Sequence, residues 1–181
     1  LESHLSAELF DEPMGLYVRK NKGKDHGLAI DMDGHLSVNG LQDALSIPVL
    51  ALMQGRVAFN SEVVITDDPD DLDQVTMRSS LEGLDIALPA PLGKIRDERV
   101  PLKIGTYFNL TRGARLSIDY EKRLSVDVWF DGKTLPFYLT RGEVVLGGKQ
   151  AILSKKSGVA LRGEFNRFDW EPWQAARAKL S

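Results

Sequence analysis

Apolar and polar residues alternate along most of this chain, in short runs that change phase at glycines, prolines and acidic turns. Leu28, Ile30, Met32, Leu36 and Val38 share one parity, with Gly34 in phase between them. Val57, Phe59, Val63 and Ile65 form a second run, and Val100, Leu102, Ile104, Phe108 and Leu110 a third. Ala114, Leu116, Ile118 and Tyr120 follow, then Leu124, Val126, Val128 and Phe130, then Leu135, Phe137 and Leu139. Val144 with Leu146, and Val159 with Leu161 and Phe165, close the set. Side chains of a strand point alternately to its two faces, so these runs predict an antiparallel sheet with one wet face. Asp131-Gly132 and Gly147-Gly148 predict hairpins, and Asn21 to Lys24 a polar turn. The short links predict a meander, not a crossover.

One segment slips in phase. Val75, Met77 and Leu81 occupy odd positions before Gly83, whereas Leu84, Ile86 and Leu88 occupy even positions after it. A one-residue slip at Glu82-Gly83 is what a β-bulge produces. Pro89 and Pro91 then end the strand, because neither donates to a ladder. Two stretches read as helix. One spans 47–53, after Ser46 and with Pro48 near its first turn. The other spans 169–180, capped by Asp169, with Trp170, Trp173, Ala176 and Leu180 on one face. That helix is expected to pack both tryptophans against one end of the sheet. Residues 66–74, around DDPDDLD, read as an acidic loop.

Composition narrows the function classes. The chain has 181 residues, a net charge of -3 and no cysteine. It lacks the basic stripe of a nucleic-acid binder, and disulfide, thiolate and cysteine-zinc chemistry are excluded. No apolar run is long enough for a membrane-spanning helix, and no signal peptide opens the chain. Because residue 1 is Leu1, residues 1–181 are read as a single piece of a longer protein. His4, His26 and His35 are scattered, and no nucleophile elbow or phosphate-cradling loop is present. Neither the acidic loop nor Asp31-Met32-Asp33-Gly34 has the full ligand spacing of a calcium loop. The residues therefore read as a non-enzymatic β protein with no metal and no cofactor.

The order of landmarks carries a resemblance that covers roughly 16–176. Ser79 to Lys94, SSLEGLDIALPAPLGK, resembles the S-x-L-x-G-[LV]-x-[LI]-x-L-P-x-P-L-x-K core of YhdP-type proteins of the AsmA-like group, with Gly83, Pro89, Pro91 and Gly93 as its structural positions. Leu50 to Phe59, Arg141 to Gly148, and Gly158 to Trp173 are similar to further pieces of that family's pattern. The matching positions are turns, bulges and strand ends, and none is catalytic.

The resemblance implies a periplasmic section of an inner-membrane-anchored protein in a Gram-negative bacterium. Its partners would be phospholipids, neighbouring segments of the same full-length chain, and the envelope membranes through the parent's anchor. Its fold would be a mainly β (α+β), strongly twisted or curled antiparallel meander forming an open groove. The function implied is a lipid conduit that supports the permeability barrier of the outer membrane. Ile104, Leu116, Ile118, Leu124, Val126 and Val128 are the expected lining, extended by Val144, Leu146, Val159 and Leu161. Ser117 and Asp127 are expected on the opposite, wet face. About eight strands at roughly 4.8 Å would make a sheet about 38 Å across, one section of a longer path. Alternation alone equally describes a closed core. The alternative is an extracytoplasmic β-sandwich scaffold binding glycan or protein, with Tyr107 and Trp129 as exposed aromatics.

Overall fold

A computed structural model describes residues 3–21, 27–68, 70–109, 111–132, 138–164 and 170–179. Eleven strands form one sheet: β1 (Ser3–Leu9), β2 (Glu12–Asn21), β3 (Gly27–Ser37), β4 (Met53–Thr66), β5 (Asp73–Ser79), β6 (Leu84–Ile86), β7 (Leu102–Asn109), β8 (Gly113–Tyr120), β9 (Leu124–Asp131), β10 (Tyr138–Leu146) and β11 (Gly158–Gly163). They lie side by side in chain order, except that β6 pairs with β4 off the main path. β1 and β11 lie at opposite ends of this path, so the sheet is open, mainly β as expected, and not closed into a barrel.

Two strands, β1 and β2, precede everything the alternation above picked out. Their register is nonetheless regular, with Leu5 opposite Leu16 and Leu16 opposite Met32. The last strand departs from the expected meander. β10 and β11 are parallel, with Val144 opposite Leu161, so residues 147–157 form a crossover. Gly147-Gly148 begin that crossover and do not close a hairpin. Parallel neighbours need a longer connection than a two-residue turn, and the intervening residues supply it.

Helices are short. The chain leaves β3 at Ser37, whose Oγ accepts the Gly40 N–H at 3.1 Å and caps α1 (Val38–Ala44). A strand had been expected to run through Val38. Gly40 suits the place because a Cβ there would stand 2.7 Å from the Phe10 carbonyl oxygen. The helix expected at 47–53 is a 3-10 turn, Pro48–Leu52, with Leu50 and Leu52 buried. α2 (Trp170–Ala178) matches the expected C-terminal helix, and its Ala176 is buried. Trp170 is 58% exposed and Trp173 is half-buried. Asp169, Leu180, Leu110, Leu135, Phe137, Phe165 and the turn residues 22–24 lie outside the described residues.

The phase slip is present, in a different form. β5 ends at Ser79, and β6 resumes on β4 with its register moved by one: Asn60 faces Arg78, but Gly55 faces Leu84. Leu81 and Gly83 take left-handed backbone, with φ of 52° and 93°. The gap is a turn between two ladders, wider than a bulge within one strand. Gly83 and Gly55 meet backbone to backbone, since a Cβ on Gly55 would fall 2.1 Å from the Gly83 oxygen. Only glycines allow that approach.

This turn seats the core. Leu81, Leu84 and Ile86 join Met14, Leu36, Val38, Val57, Phe59, Val100 and Tyr120 in one buried cluster. Val100 belongs to no strand but is 1% exposed, the most deeply buried of these residues.

Candidate functional site

The sheet has one apolar face, and its register can be followed from end to end. One residue from each of ten strands makes a single row: Leu5, Leu16, Met32, Ser61, Met77, Ile104, Ile118, Val126, Val144 and Leu161. Ser61 is its one polar member. Beside it run Val18, Ile30, Val63, Val75, Thr106, Leu116, Val128, Gly142 and Val159. On the first row's other side, Leu102, Tyr120, Leu124 and Leu146 pair in turn. All ten residues expected to line a groove therefore share one face. The pattern was legible because a strand's side chains alternate without exception where no bulge intervenes.

The buried cluster on that face lies at one end of the strands. α1, β6 and the loop from Leu88 to Val100 join Met14, Phe59 and Tyr120 in it, with Leu16, Met32, Met77, Leu102 and Leu124 partly buried against them. From Ile104 onward the first row lies outside this cluster. Ile104, Ile118, Val126 and Val144 are half-buried, Val159 is 45% exposed and Leu161 72% exposed. Val128 is the exception, at 5%. No charged side chain stands in the row between Ile104 and Leu161.

The cover is held by a clamp that explains the Ser79 to Lys94 pattern. Lys94 is 5% exposed, and its ammonium donates to the Leu81 and Ile95 carbonyls, both at 2.8 Å, and to that of Leu84. Burial lowers the Lys94 pKa below the usual lysine value, against the opposing pull of Glu98 and Asp85. Gly93 fits because a Cβ would stand 2.0 Å from the Leu88 oxygen. Arg123, in the turn after β8, donates to the Gly93 carbonyl at 2.6 Å and pairs with Glu98. The Tyr120 hydroxyl donates to the Leu92 carbonyl at 3.2 Å, and burial raises its pKa despite Arg123.

The opposite face is polar but not simply wet. Arg19 bridges Asp31 at 2.8 Å and Glu62 at 2.6 Å. Arg115 makes a two-pronged contact with Asp127, at 2.8 and 2.6 Å, which raises the arginine's pKa. Asp127 is only 5% exposed, which corrects its expected place on a solvated face. The crossover lies over it: Leu153 N–H donates to Asp127 at 3.2 Å, Ile152 N–H to Glu143 at 2.9 Å, and Ala151 N–H to Ser125 at 2.9 Å. The backbone N–H groups of 151–153 thus donate to side-chain oxygens that project from β9 and β10. Nothing in the alternation signals this, because it depends on main-chain donors.

Two expectations tied to the sandwich alternative are corrected. One sheet is present, not two. Tyr107 and Trp129 do lie on the polar face, but Arg115 stacks over Tyr107 at 5.7 Å and Arg141 over Trp129 at 5.3 Å. Each arginine occupies one face of its ring, and both rings are half-buried, not exposed. In the acidic loop, Asp68 accepts the Asp70 N–H, Asp73 accepts the Thr66 N–H, and Asp70 pairs with Arg112. Its carboxylates hold the loop's own geometry.

Among the described residues no helix is long and apolar enough to cross a membrane. Comparison with protein families gives a match to the YhdP protein model over residues 2–181, and the chain belongs to that family. Neither the curated proteins nor the solved structures gave a match. Membership places the chain in an envelope family associated, in general terms, with lipid transport.

Proposed function

We propose that this member of the YhdP family is a non-enzymatic section of a periplasmic conduit that carries phospholipid acyl chains along its open apolar face. The conduit would run between the inner and outer membranes, supporting the permeability barrier and continuing into neighbouring segments of the full-length, membrane-anchored chain. The observation that carries this reading is the row from Ile104 through Ile118, Val126 and Val144 to Leu161, which crosses five neighbouring strands without a charge.

An apolar sheet face must be covered by a helix, a second sheet or a ligand. Among the described residues the buried cluster stops short of this row. Burial of a lipid contributes about 0.8 kcal/mol per methylene, or about 12 kcal/mol for a sixteen-carbon chain. Only an unbroken apolar path keeps that gain as the chain advances. Rows run across the strands, so the open stretch from β7 to β11 spans roughly 19 Å at about 4.8 Å spacing, one section of a longer path. The chemistry asked of the site is solvation, and no residue is required to form or break a bond.

The test is a matched pair on β11. Leu161 and Ala160 are adjacent and both exposed, on opposite faces of the strand. In the full-length protein, Leu161→Lys is expected to make cells sensitive to detergent and large antibiotics. Ala160→Lys, which adds the same charge to the polar face, is expected to leave the barrier intact. Equal behaviour of the two variants, at equal protein levels, would count against transport along the apolar face.

A further inference from the structure

A hollow of about 520 Å³ lies on the polar face where β5 and β8 end. Asn60, Arg78, Lys103 and Asp119 stand side by side in its wall, each directly opposite the next in the register, and Ser80 and Glu121 extend the rim. Arg78 and Lys103 face each other across neighbouring strands, an arrangement of like charges that disfavours the sheet. Nine ion pairs are made among the described residues, and none of them involves Arg78 or Lys103. Asp119 and Glu121 are likewise unpaired there and lie to one side of the cations. The hollow therefore presents two positive groups, then two negative ones, in a fixed order.

We infer that this hollow binds a small zwitterion carrying a phosphate and an amine, of phosphoethanolamine chemistry. Phosphate oxygens would accept from the Arg78 guanidinium and the Lys103 ammonium, relieving their mutual repulsion. Charge-assisted contacts of this kind are the strong ones, and arginine offers two parallel donors to a phosphate. The amine would lie toward Asp119 and Glu121. A bare anion suits the site less well, because those carboxylates oppose it. The site is on the face opposite the proposed lipid path and stands independently of it.

The experiment is a titration of the 20.1 kDa chain followed by amide resonances. The probes are phosphoethanolamine, inorganic phosphate, ethanolamine, and dihexanoyl phosphatidylethanolamine below its micelle concentration. Phosphoethanolamine is expected to shift the amides of Arg78, Ser80, Lys103 and Glu121 saturably, and to bind about tenfold more tightly than phosphate or ethanolamine alone. The double variant Arg78→Gln/Lys103→Gln, which removes a repulsion and so keeps the fold, is expected to lose this binding by about tenfold or more. Asp119→Asn is expected to narrow the preference over phosphate. The short-chain lipid shifting the same amides assigns a headgroup as the source of the ligand; free phosphoethanolamine binding without the lipid assigns a soluble one. No saturable shift at these amides, unchanged binding in the double variant, or phosphate binding as tightly as phosphoethanolamine would each overturn the inference. All these amides report on the polar face, so the outcome is separable from that of the Leu161 and Ala160 pair.

Discussion

Phe59 and Val126 point to the same face of the same sheet, and their surroundings differ completely. Phe59 sits beneath α1, β6 and the Leu88 to Val100 loop in a sealed core. Val126 has apolar neighbours across the strands at Ile118 and Val144, and all three are half-buried and lie outside that core. The side chains are of one kind in both regions. What distinguishes a core from a path is the cover, and here the cover hangs on a few polar contacts: Lys94 on three carbonyls, and Arg123 and Tyr120 on the loop's last turns.

The comparison breaks most visibly at the covered end. Phe59→Ala is expected to cost about 3–5 kcal/mol, from lost burial and the cavity left behind, measured by denaturant unfolding. On the open row, Val126→Thr is nearly the same size and meets water, so its cost should stay within about 0.5 kcal/mol. If the two substitutions cost the same, the open row is a core after all.

The clamp comes next. Lys94→Met removes a donor from three carbonyls, of which Leu81 and Ile95 keep the backbone N–H of Leu84 and Glu98. The expected cost is therefore about 2 kcal/mol, within the roughly 1–3 kcal/mol of one unmet buried acceptor. The pH dependence has a definite sign. Burial lowers the folded pKa of Lys94, so between that value and the unfolded one the unfolded state holds more protons. Stability of the native chain relative to Lys94→Met should therefore rise as the pH climbs from neutral toward the ordinary lysine value of 10.5. A difference that stays flat or falls over that range would show the ammonium to be unstrained in its cage.

An effect of similar size is expected on the polar face. Asp127→Ala removes the acceptor of Leu153 N–H and the partner of Arg115, at about 2 kcal/mol, because the arginine is partly exposed and regains water. Hydrogen exchange should speed up at Ala151, Ile152 and Leu153 first, as the crossover lifts from the sheet. Uniform exchange across all strands would instead mean that the crossover and the sheet open together.

Much of this architecture is readable from the residues, for a definite reason. Alternation reports which face a side chain takes, so the row through Ile104, Ile118, Val126 and Val144 follows from parity once the strands pair in chain order. Cover is another matter. The seven residues of α1 hide behind an alternation that runs on through Leu36 to Val38 and that the Ser37 cap interrupts. The crossover hides behind Gly147-Gly148, and it is fastened by backbone donors that have no side-chain signature. Asp127 shows the consequence: parity places it on the polar face correctly, while its burial depends on a segment twenty-six residues away. The Arg78 and Lys103 pair escaped notice similarly, because their meeting is a matter of register between β5 and β7.

The central claim is that acyl chains contact the open row, and photocrosslinking in living cells reaches it directly. A photoreactive residue would replace Ile118 or Val126 in the full-length protein, with Ser117 on β8 and Ala160 on β11 as positions on the opposite face, both outside the Arg78 and Lys103 hollow. Mass spectrometry would then identify any attached lipid. Phospholipid adducts at Ile118 and Val126, absent from Ser117 and Ala160, are the predicted result. Adducts at all four positions alike, or at none in a folded and abundant protein, would contradict the account.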